Sequence, residues 1–240
     1  MKRTDKNKIN WPVGISRKDR LLCRSILKSV GHYLQSRDLL VMCSGGLDST
    51  VLAYAARQAA TQLDLDINLH LLYVNHGLRP TENQKEVKFI NRLATQLEAH
   101  PLVIDGSLPT DYNNLQDIAR KIRYEALKIK PEALVFTAHH ANDQAETKLF
   151  QFLTGRRVTG IKEVISFNTM SPGSVVIRPL LSFTKIQLAT FAQLWNLKWC
   201  EDSSNQTCKY TRNKIRHLVI PLLEKEINPS LITTLAKRIG

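Results

Sequence analysis

Short apolar runs alternate with amphipathic helical patterns along most of the chain. The apolar runs, interpreted as buried strands, are Leu39–Cys43, Ile67–Val74, Leu102–Ile104 and Ala133–Ala138. The helical patterns lie near residues 48–62, 82–99, 113–130 and 141–153, with two more near 16–35 and 183–196. Strand and helix in this alternation predict an α/β fold, a doubly wound parallel sheet with helices on both faces.

Polar and glycine residues follow each apolar run. Ligands of such a sheet bind beyond the carboxyl ends of the strands, so the residues that come next are the first candidates for a site. They are Ser44-Gly45-Gly46, Asn75-His76-Gly77, Asp105-Gly106-Ser107 and His139-His140.

The first of these turns, Ser44-Gly45-Gly46-Leu47-Asp48-Ser49, has the composition of a phosphate-binding loop. Glycines allow a sharp turn that directs backbone N–H groups at phosphate oxygens, at the positive end of the following helix. A carboxylate at Asp48 would repel bare phosphate, which indicates a bridging Mg²⁺ or a capping role. The lysine of the P-loop pattern and the three glycines of dinucleotide binders are both absent.

A second cluster follows the strand at Ala133–Ala138. His139 and His140 precede a predicted helix on which Asp143 and Glu146 share one face. Carboxylates and imidazoles placed in this way can hold Mg²⁺ or accept a proton. Ordinary capping of a helix by acids in its first turn remains the alternative.

Other polar residues fit nucleotide or RNA binding less specifically. Arg120 and Arg123 lie beside the apolar stripe of one helix and can form forked hydrogen bonds with a phosphate or a base. Asn75 and His76 follow a strand, and Arg212 and Arg216 occur in a basic segment that also contains Tyr210. Solvated helix faces explain these residues equally well.

Charge is distributed unevenly along the chain. The net charge of +13 is concentrated at the ends, with nine basic and two acidic residues in 1–30 and seven and two in 205–240. Such basic ends favour contact with nucleic acid, although a solvated tail is the alternative.

Cysteine usage and hydropathy favour a soluble, intracellular protein without a membrane segment. The four cysteines, Cys23, Cys43, Cys200 and Cys208, show no spacing typical of a zinc site. No apolar run approaches the roughly 18 residues of a membrane span.

Seven segments in order resemble the tRNA(Ile)-lysidine synthetases, a family of N-type ATP pyrophosphatases with the Rossmann-like fold of the adenine nucleotide α-hydrolases. The segments are SGGLDS, VNHGLRP, Gln-x2-Ala-Arg-x2-Arg-Tyr, TAHHANDQAET, IRPLL, LKWCEDSSN and TRNKIRHLVIPLL, between about residues 38 and 229. The resemblance implies that ATP adenylates the carbon-2 oxygen of the wobble cytidine of a CAU-anticodon tRNA(Ile). Free L-lysine then displaces AMP, which changes the codon read from AUG to AUA.

The resemblance also implies roles for the candidate residues. Residues 44–49 would bind the triphosphate of ATP, and Asp48 and Asp143 would hold Mg²⁺. The proton of the lysine amine would pass to Asp143, Glu146 or His139. The nucleotide, base and tRNA contacts would come from Asn75, His76, Arg120, Arg123, Arg212 and Arg216.

The chain departs from the family pattern in two segments. Asn142 precedes Asp143 where two consecutive acids are usual, and residues 154–161, TGRRVTGI, replace the customary Arg-Gly-Ser-Gly loop. Many members also continue into C-terminal tRNA-binding domains. The short length resembles plastid-encoded forms and predicts the plastid stroma, with the bacterial cytoplasm as the other compartment; the oligomeric state stays open, a homodimer included.

We expect a basic N-terminal helical extension at 1–35, an ATP pyrophosphatase domain at 36–200 and a basic helical segment at 201–240. The basic ends should bind tRNA in a salt-dependent manner. Two other functions stay open: a tRNA thiolation enzyme, which would need a catalytic cysteine pair or cluster ligands, and a non-catalytic tRNA-binding relative.

Overall fold

The computed structural model describes residues 11, 14–35, 37–75, 80–106, 133–166, 175–201 and 211–237. Its strands are β1 (Asp38–Met42), β2 (Asn68–Asn75), β3 (His100–Asp105), β4 (Leu134–Phe136), β5 (Val164–Ser166) and β6 (Val175–Ile177). Its helices are α1 (Arg17–Gly31), α2 (Leu47–Leu63), α3 (Pro80–Gln96), α4 (Ala141–Leu153), α5 (Lys185–Leu194), α6 (Thr211–Lys214), α7 (Ile220–Glu226) and α8 (Leu231–Lys237), with a π-helical turn (Ile215–Val219) between α6 and α7.

The six strands form one sheet in the order β3-β2-β1-β4-β6-β5. All neighbours are parallel except β5, which runs antiparallel to β6 at the edge. The chain leaves β1 for β2 on one side and reaches β4 on the other, so the strand order reverses at β1 and β4. The predicted doubly wound, mostly parallel α/β sheet is confirmed, and β5 and β6 are additions that the apolar runs did not predict.

Alternate side chains of the strands enter two separate cores. Leu39 and Val41 of β1 join the larger core with residues of α1, α2, α3 and α5. Leu40, between them, packs on the opposite face with Leu72 and Val135. This alternation is the period of two that a strand imposes. The helix predicted near 113–130 lies outside the described residues.

Helix α1 is held to the sheet by its apolar stripe. Cys23, Ile26, Leu27 and Val30 are buried at spacings of three and four residues. Ser16 begins the helix as its N-cap, where the side-chain oxygen accepts a hydrogen bond from the Asp19 N–H. The opposite face of α1 is exposed and basic.

The C-terminal helices pack against α4. Ala145 of α4 is buried with Ile215 and Ile220, and Lys148 donates from Nζ to the carbonyl oxygen of Leu235 in α8 at 2.6 Å. Burial of Lys148 lowers its pKa. Over the part of the chain that the structure describes, no helix has the length and apolar character to cross a membrane.

Candidate functional site

The turn between β1 and α2 is fixed by its own hydrogen bonds. Gly46 is the N-cap of α2, and its carbonyl oxygen accepts from the Thr50 N–H at 3.0 Å and from the Ser49 hydroxyl at 3.0 Å. The Ser44 and Ser49 hydroxyl oxygens lie 3.3 Å apart. The turn therefore places the two hydroxyls and Leu47, the first residue of α2, at the carboxyl edge of the sheet.

Gly45 adopts a backbone conformation that other residues rarely adopt. Its φ is +81°, and an added Cβ would stand 3.4 Å from Cδ1 of Phe89. The Cys200 N–H donates to the Gly45 carbonyl oxygen at 2.8 Å, so the segment after α5 holds the turn from outside. A glycine is favoured here because the positive φ is strained for any residue with a Cβ, although the space beside Gly45 would admit one at ordinary contact distance.

His140 joins the two predicted acidic positions. Its Nε2 lies 3.4 Å from Oδ2 of Asp48, and its Nδ1 lies 3.6 Å from Oδ2 of Asp143. The Nδ1 atom accepts from the Asn142 N–H at 3.2 Å, which leaves the hydrogen of a neutral ring on Nε2, facing Asp48. His140 is also the N-cap of α4, and its own N–H donates to Asp143 at 2.9 Å.

The charge state of His140 depends on these carboxylates. Burial lowers its pKa, but the hydrogen bond with Asp48 and the charges of Asp143 and Asp48 outweigh burial, so the pKa is raised overall. The imidazole is 4% exposed. A ring so enclosed fixes the positions of two carboxylates that come from different helices.

One oxygen of Asp48 has no hydrogen-bond partner among the residues that the structure describes. This oxygen, Oδ1, is buried, whereas Oδ2 faces His140. A buried carboxylate oxygen without a donor is costly unless a cation or another donor approaches it. Mg²⁺ is bound in nucleotide sites by one or two carboxylates together with substrate phosphates, so the donor set of this turn fits that ion.

Glu146 and Arg216 form a bidentate ion pair. Arg216 donates from Nε to Oε1 at 2.7 Å and from Nη2 to Oε2 at 2.9 Å, and Nη2 lies 3.6 Å from Oδ1 of Asp143. The hydrogen bonds to Glu146 raise the pKa of Arg216 against the opposing effect of burial. While this pair is intact, both carboxylate oxygens of Glu146 and the Nε and Nη2 groups of Arg216 are engaged with each other.

Two other described candidates, His139 and Asn75, lie at the same edge, and Arg212 lies further along α4. His139 is half-buried with Nδ1 2.9 Å from Oγ1 of Thr137, and Asn75 Oδ1 accepts from Nδ2 of Asn83 at 2.6 Å. Arg212 is exposed above the ring of Phe150. His76, Arg120 and Arg123 lie outside the described residues.

The structure brings to the site Cys200, which sequence reasoning did not select, and it gives the key contacts to His140, one of the two candidate imidazoles. His140, rather than His139, contacts both predicted carboxylates; its place directly before the first helical residue was the signal for a cap, but not for this contact. Cys200 reaches Gly45 from far along the chain, which no local pattern indicates. Asn142, in place of an acid, accepts at Oδ1 from the Lys185 N–H at 2.9 Å and so ties α4 to α5.

Comparison with known proteins places the chain in a family. A family model described as PP-loop domain matches residues 19–223, which include the glycine turn, His140 and Arg216. The chain belongs to the PP-loop domain family. Membership implies the use of ATP, and it agrees with the predicted fold.

Curated relatives carry the name tRNA(Ile)-lysidine synthase. The protein of Buchnera aphidicola is 34% identical over 208 residues, covering 83% of this chain and 45% of its own length. The protein of Enterococcus faecalis is 36% identical over 216 residues, covering 87% of this chain and 45% of its own length. The protein of Haemophilus influenzae is 35% identical over 209 residues, covering 83% of this chain and 47% of its own length. The resemblance inferred from the motifs is confirmed, and the chain spans less than half the length of these relatives.

A solved structure supports the same fold. The U34-tRNA thiolase of Methanococcus maripaludis, determined with its [4Fe-4S] cluster, superposes with a TM-score of 0.72 at 16% identity, over 91% of this chain and 77% of that one. At this identity the likeness concerns the fold alone.

Proposed function

We propose that this chain is the catalytic PP-loop part of a tRNA(Ile)-lysidine synthetase. In this reaction ATP adenylates the carbon-2 oxygen of the wobble cytidine of a CAU-anticodon tRNA, diphosphate leaves, and the ε-amine of free lysine displaces AMP. The product contains lysidine and reads AUA in place of AUG. The order of the seven motifs and the names of the relatives support this reading.

The observation that carries the proposal is the unpartnered Oδ1 of Asp48 inside the glycine turn. It stands at the N-terminus of α2, next to the hydroxyls of Ser44 and Ser49, where backbone N–H groups and hydroxyls suit phosphate oxygens. Asp48 and Asp143 would hold Mg²⁺, which neutralises charge on the triphosphate when bound. Asp48 is the better placed of the two, because both oxygens of Asp143 already face His140 or Arg216.

Lysine attack requires an unprotonated amine. With an ordinary pKa near 10.4, neutralising the amine at pH 7 costs about 4.6 kcal/mol, so a nearby proton acceptor accelerates the step. Glu146 is engaged by Arg216 in a bidentate pair. Asp143 and His139 are therefore the stronger candidates for the acceptor, with Glu146 able to act only when Arg216 moves.

RNA binding is the second part of the proposal. The basic ends, Arg212 among them, would contact tRNA, and Asn75, His76, Arg120 and Arg123 would contact the nucleotide or base. Arg216 would reach RNA only on leaving Glu146. The proposed compartment is the bacterial cytoplasm or the plastid stroma. A homodimer is the proposed assembly.

Transfer of labelled lysine to RNA tests this function. The protein is incubated with ATP, Mg²⁺, labelled lysine and a CAU tRNA(Ile) transcript, and label is counted in the RNA. We expect incorporation by the wild type, none by Asp48→Asn, and wild-type incorporation by Asp66→Asn, an exposed acid outside the site. Wild-type protein that binds ATP and the tRNA but incorporates no lysine would contradict the proposal.

A thiolation enzyme is the second candidate because Cys200 contacts the turn that follows Cys43. Burial raises the pKa of Cys43 to about 11 and also raises that of Cys200, so both are protonated near pH 7 and poorly suited to carry sulfur. Cys43→Ala and Cys200→Ala should retain lysine transfer. Loss of RNA modification in both, with ATP binding unchanged, would favour thiolation.

A further inference from the structure

The loop after α4 is fixed to that helix by two glutamines. Gln151 accepts at Oε1 from the N–H groups of Thr159 at 3.1 Å and Gly160 at 2.9 Å, and Gln144 donates from Nε2 to the Ile161 carbonyl oxygen at 3.2 Å. The Arg156 N–H donates to the Gln151 carbonyl oxygen at 2.8 Å.

Close packing at Gly160 fixes the far end of this loop. Its φ is +66°, and an added Cβ would come within 2.7 Å of Oε1 of Gln144 and 2.8 Å of Cε of Lys148. Only glycine permits this approach. The backbone that carries Arg156 is therefore held in one place, although the side chains of the loop are exposed.

Two guanidinium groups from different elements lie over one aromatic ring. The Cζ atom of Arg156 is 5.4 Å from the centroid of the Phe150 ring, and the Cζ atom of Arg212, in α6, is 5.5 Å from the same centroid. Both distances are typical of cation–π contacts. We call this group, Phe150 with Arg156 and Arg212, the arginine platform.

The platform continues the arrangement that builds the site. Glu146 of α4 pairs with Arg216 of the C-terminal segment. Phe150, four residues after Glu146, lies under Arg212, four residues before Arg216. Four residues of a helix span about 6 Å, so the platform lies roughly one turn of α4 beyond the buried ion pair. The platform therefore lies between the carboxyl edge of the sheet and the C-terminal end of α4.

The described acids do not neutralise these arginines. Arg216 occupies Glu146 and faces Asp143, and no ion pair of Arg156 or Arg212 occurs among the residues that the structure describes. The dipole of α4 favours a cation at its C-terminus, and the packing of Ile215 against Ala145 brings the segment with Arg212 to the same helix. Two like charges brought to one ring repel each other, and a bound anion would relieve that repulsion.

We propose that the arginine platform binds the phosphodiester backbone of an RNA strand next to the catalytic edge. Guanidinium groups bind phosphate through forked hydrogen bonds, and a ring beneath them limits their freedom before binding. The inference rests on the proposed function for the identity of the RNA, the CAU tRNA.

Affinity for the tRNA transcript, measured by filter binding over a range of salt concentrations, tests the platform. Arg156→Ala and Arg212→Ala should each weaken binding about three- to tenfold at 0.1 M salt and flatten the slope of log K against log salt by about 0.7, the value for one contact with single-stranded phosphate. Arg156→Lys, which keeps the charge but loses the fork, should lie between these variants and the wild type.

Arg157→Ala is the matched control. Arg157 is an exposed arginine next to Arg156 in the same loop, so its removal lowers the net charge equally. We expect a smaller loss of affinity from Arg157→Ala than from Arg156→Ala. When Phe150 is replaced by Leu, Arg156→Ala and Arg157→Ala should cause equal losses of RNA affinity, because the ring that distinguishes Arg156 is gone. Circular dichroism establishes that the Phe150→Leu protein is folded.

Equal losses from Arg156→Ala and Arg157→Ala in the wild-type background would overturn the platform. Unchanged RNA affinity in Arg156→Ala would also overturn it, and binding of an acidic protein partner in place of RNA would do the same. Failure of the proposed function is a separate result: the wild type would bind RNA with the expected platform dependence but transfer no lysine.

Discussion

Gly45 and Asp48 set the chemistry of the turn at the level of single residues. The positive φ of Gly45 lets the chain reverse between β1 and α2, and the carboxylate three residues later is left with one unpartnered oxygen. The two glycines of the turn are not equivalent, since Gly46 has an ordinary negative φ and only the Ser44 hydroxyl near its missing Cβ, at 3.5 Å.

We expect Gly45→Ala to lower the free energy of unfolding by about 1–2 kcal/mol, the cost of a left-handed conformation for an L-residue. Gly46→Ala, the matched control, should lower it by about 0.5 kcal/mol, because its negative φ admits a Cβ and alanine is only a poorer N-cap than glycine. Urea unfolding followed by circular dichroism measures both. An unchanged free energy for Gly45→Ala would show that the turn relaxes to another conformation.

The thiol of Cys43 should be unreactive at neutral pH. Its pKa is raised to about 11 by burial, so the thiolate that attacks alkylating reagents forms only as the pH rises toward that value. Alkylation by iodoacetamide, followed by mass spectrometry, should be slow at pH 8 and accelerate strongly above pH 10 if the protein stays folded. Rapid alkylation of Cys43 at pH 7 would contradict this and would revive a catalytic role for the thiol.

At the scale of elements, α4 connects the sheet edge to the C-terminal helices. Its first residues carry His140 and Asp143, and its middle carries Glu146 and Lys148, which are held by Arg216 and Leu235. Motif spacing predicted that the acids share a face of α4. The partner of Glu146 was not predictable, because Arg216 is 70 residues away and its segment also fits a solvated basic helix.

Arg216→Met should destabilise the protein by about 2 kcal/mol, below the usual cost of breaking a buried pair because Arg216 is about one-third exposed. The loss arises because the nearly buried carboxylate of Glu146 is left without its donor. Adding Glu146→Gln should recover part of the loss, as a double-mutant cycle in urea would show. Additive effects of the two substitutions would mean that the pair contributes no coupling.

At the scale of the whole molecule, the fold followed from the alternation of apolar runs and helical patterns. Leu39–Cys43 and Ala133–Ala138 were predicted as strands because continuous apolar runs suit a sheet covered on both faces. The strands β5 and β6 were missed because their apolar runs of two and three residues are bounded by polar residues, whereas the three residues of β4 lie inside the longer apolar run Ala133–Ala138. Within the site, the loop residues were predictable from local sequence, whereas Cys200 and the contacts of His140 depend on tertiary packing.

The packing of α1 determines which variants can test whether its basic residues bind RNA. Four apolar residues of α1 are buried in the main core, so deletion of residues 1–30 would remove part of that core along with the charge. Substitution of the exposed basic residues separates the two effects. Suitable positions are Arg17, Lys18 and Arg24.

We expect the triple variant Arg17→Gln, Lys18→Gln, Arg24→Gln to bind the tRNA transcript more weakly and with a shallower salt dependence. The slope should fall by about 0.7 for each phosphate that the helix no longer neutralises. Its affinity for ATP should match that of the wild type, and its unfolding midpoint should be slightly lower because Arg24 no longer lies over the ring of Trp11. An unchanged salt slope would mean that α1 does not contact RNA.

Transfer of the adenylate to RNA tests the central claim most directly. The protein is incubated with ATP labelled at the α-phosphate, Mg²⁺ and the CAU tRNA(Ile) transcript in the absence of lysine, and the RNA is recovered under denaturing conditions. The account predicts label covalently attached to the RNA, its release as AMP when lysine is added, and none with Asp48→Asn. Folded wild-type protein that binds both ATP and the transcript yet leaves the RNA unlabelled would contradict it.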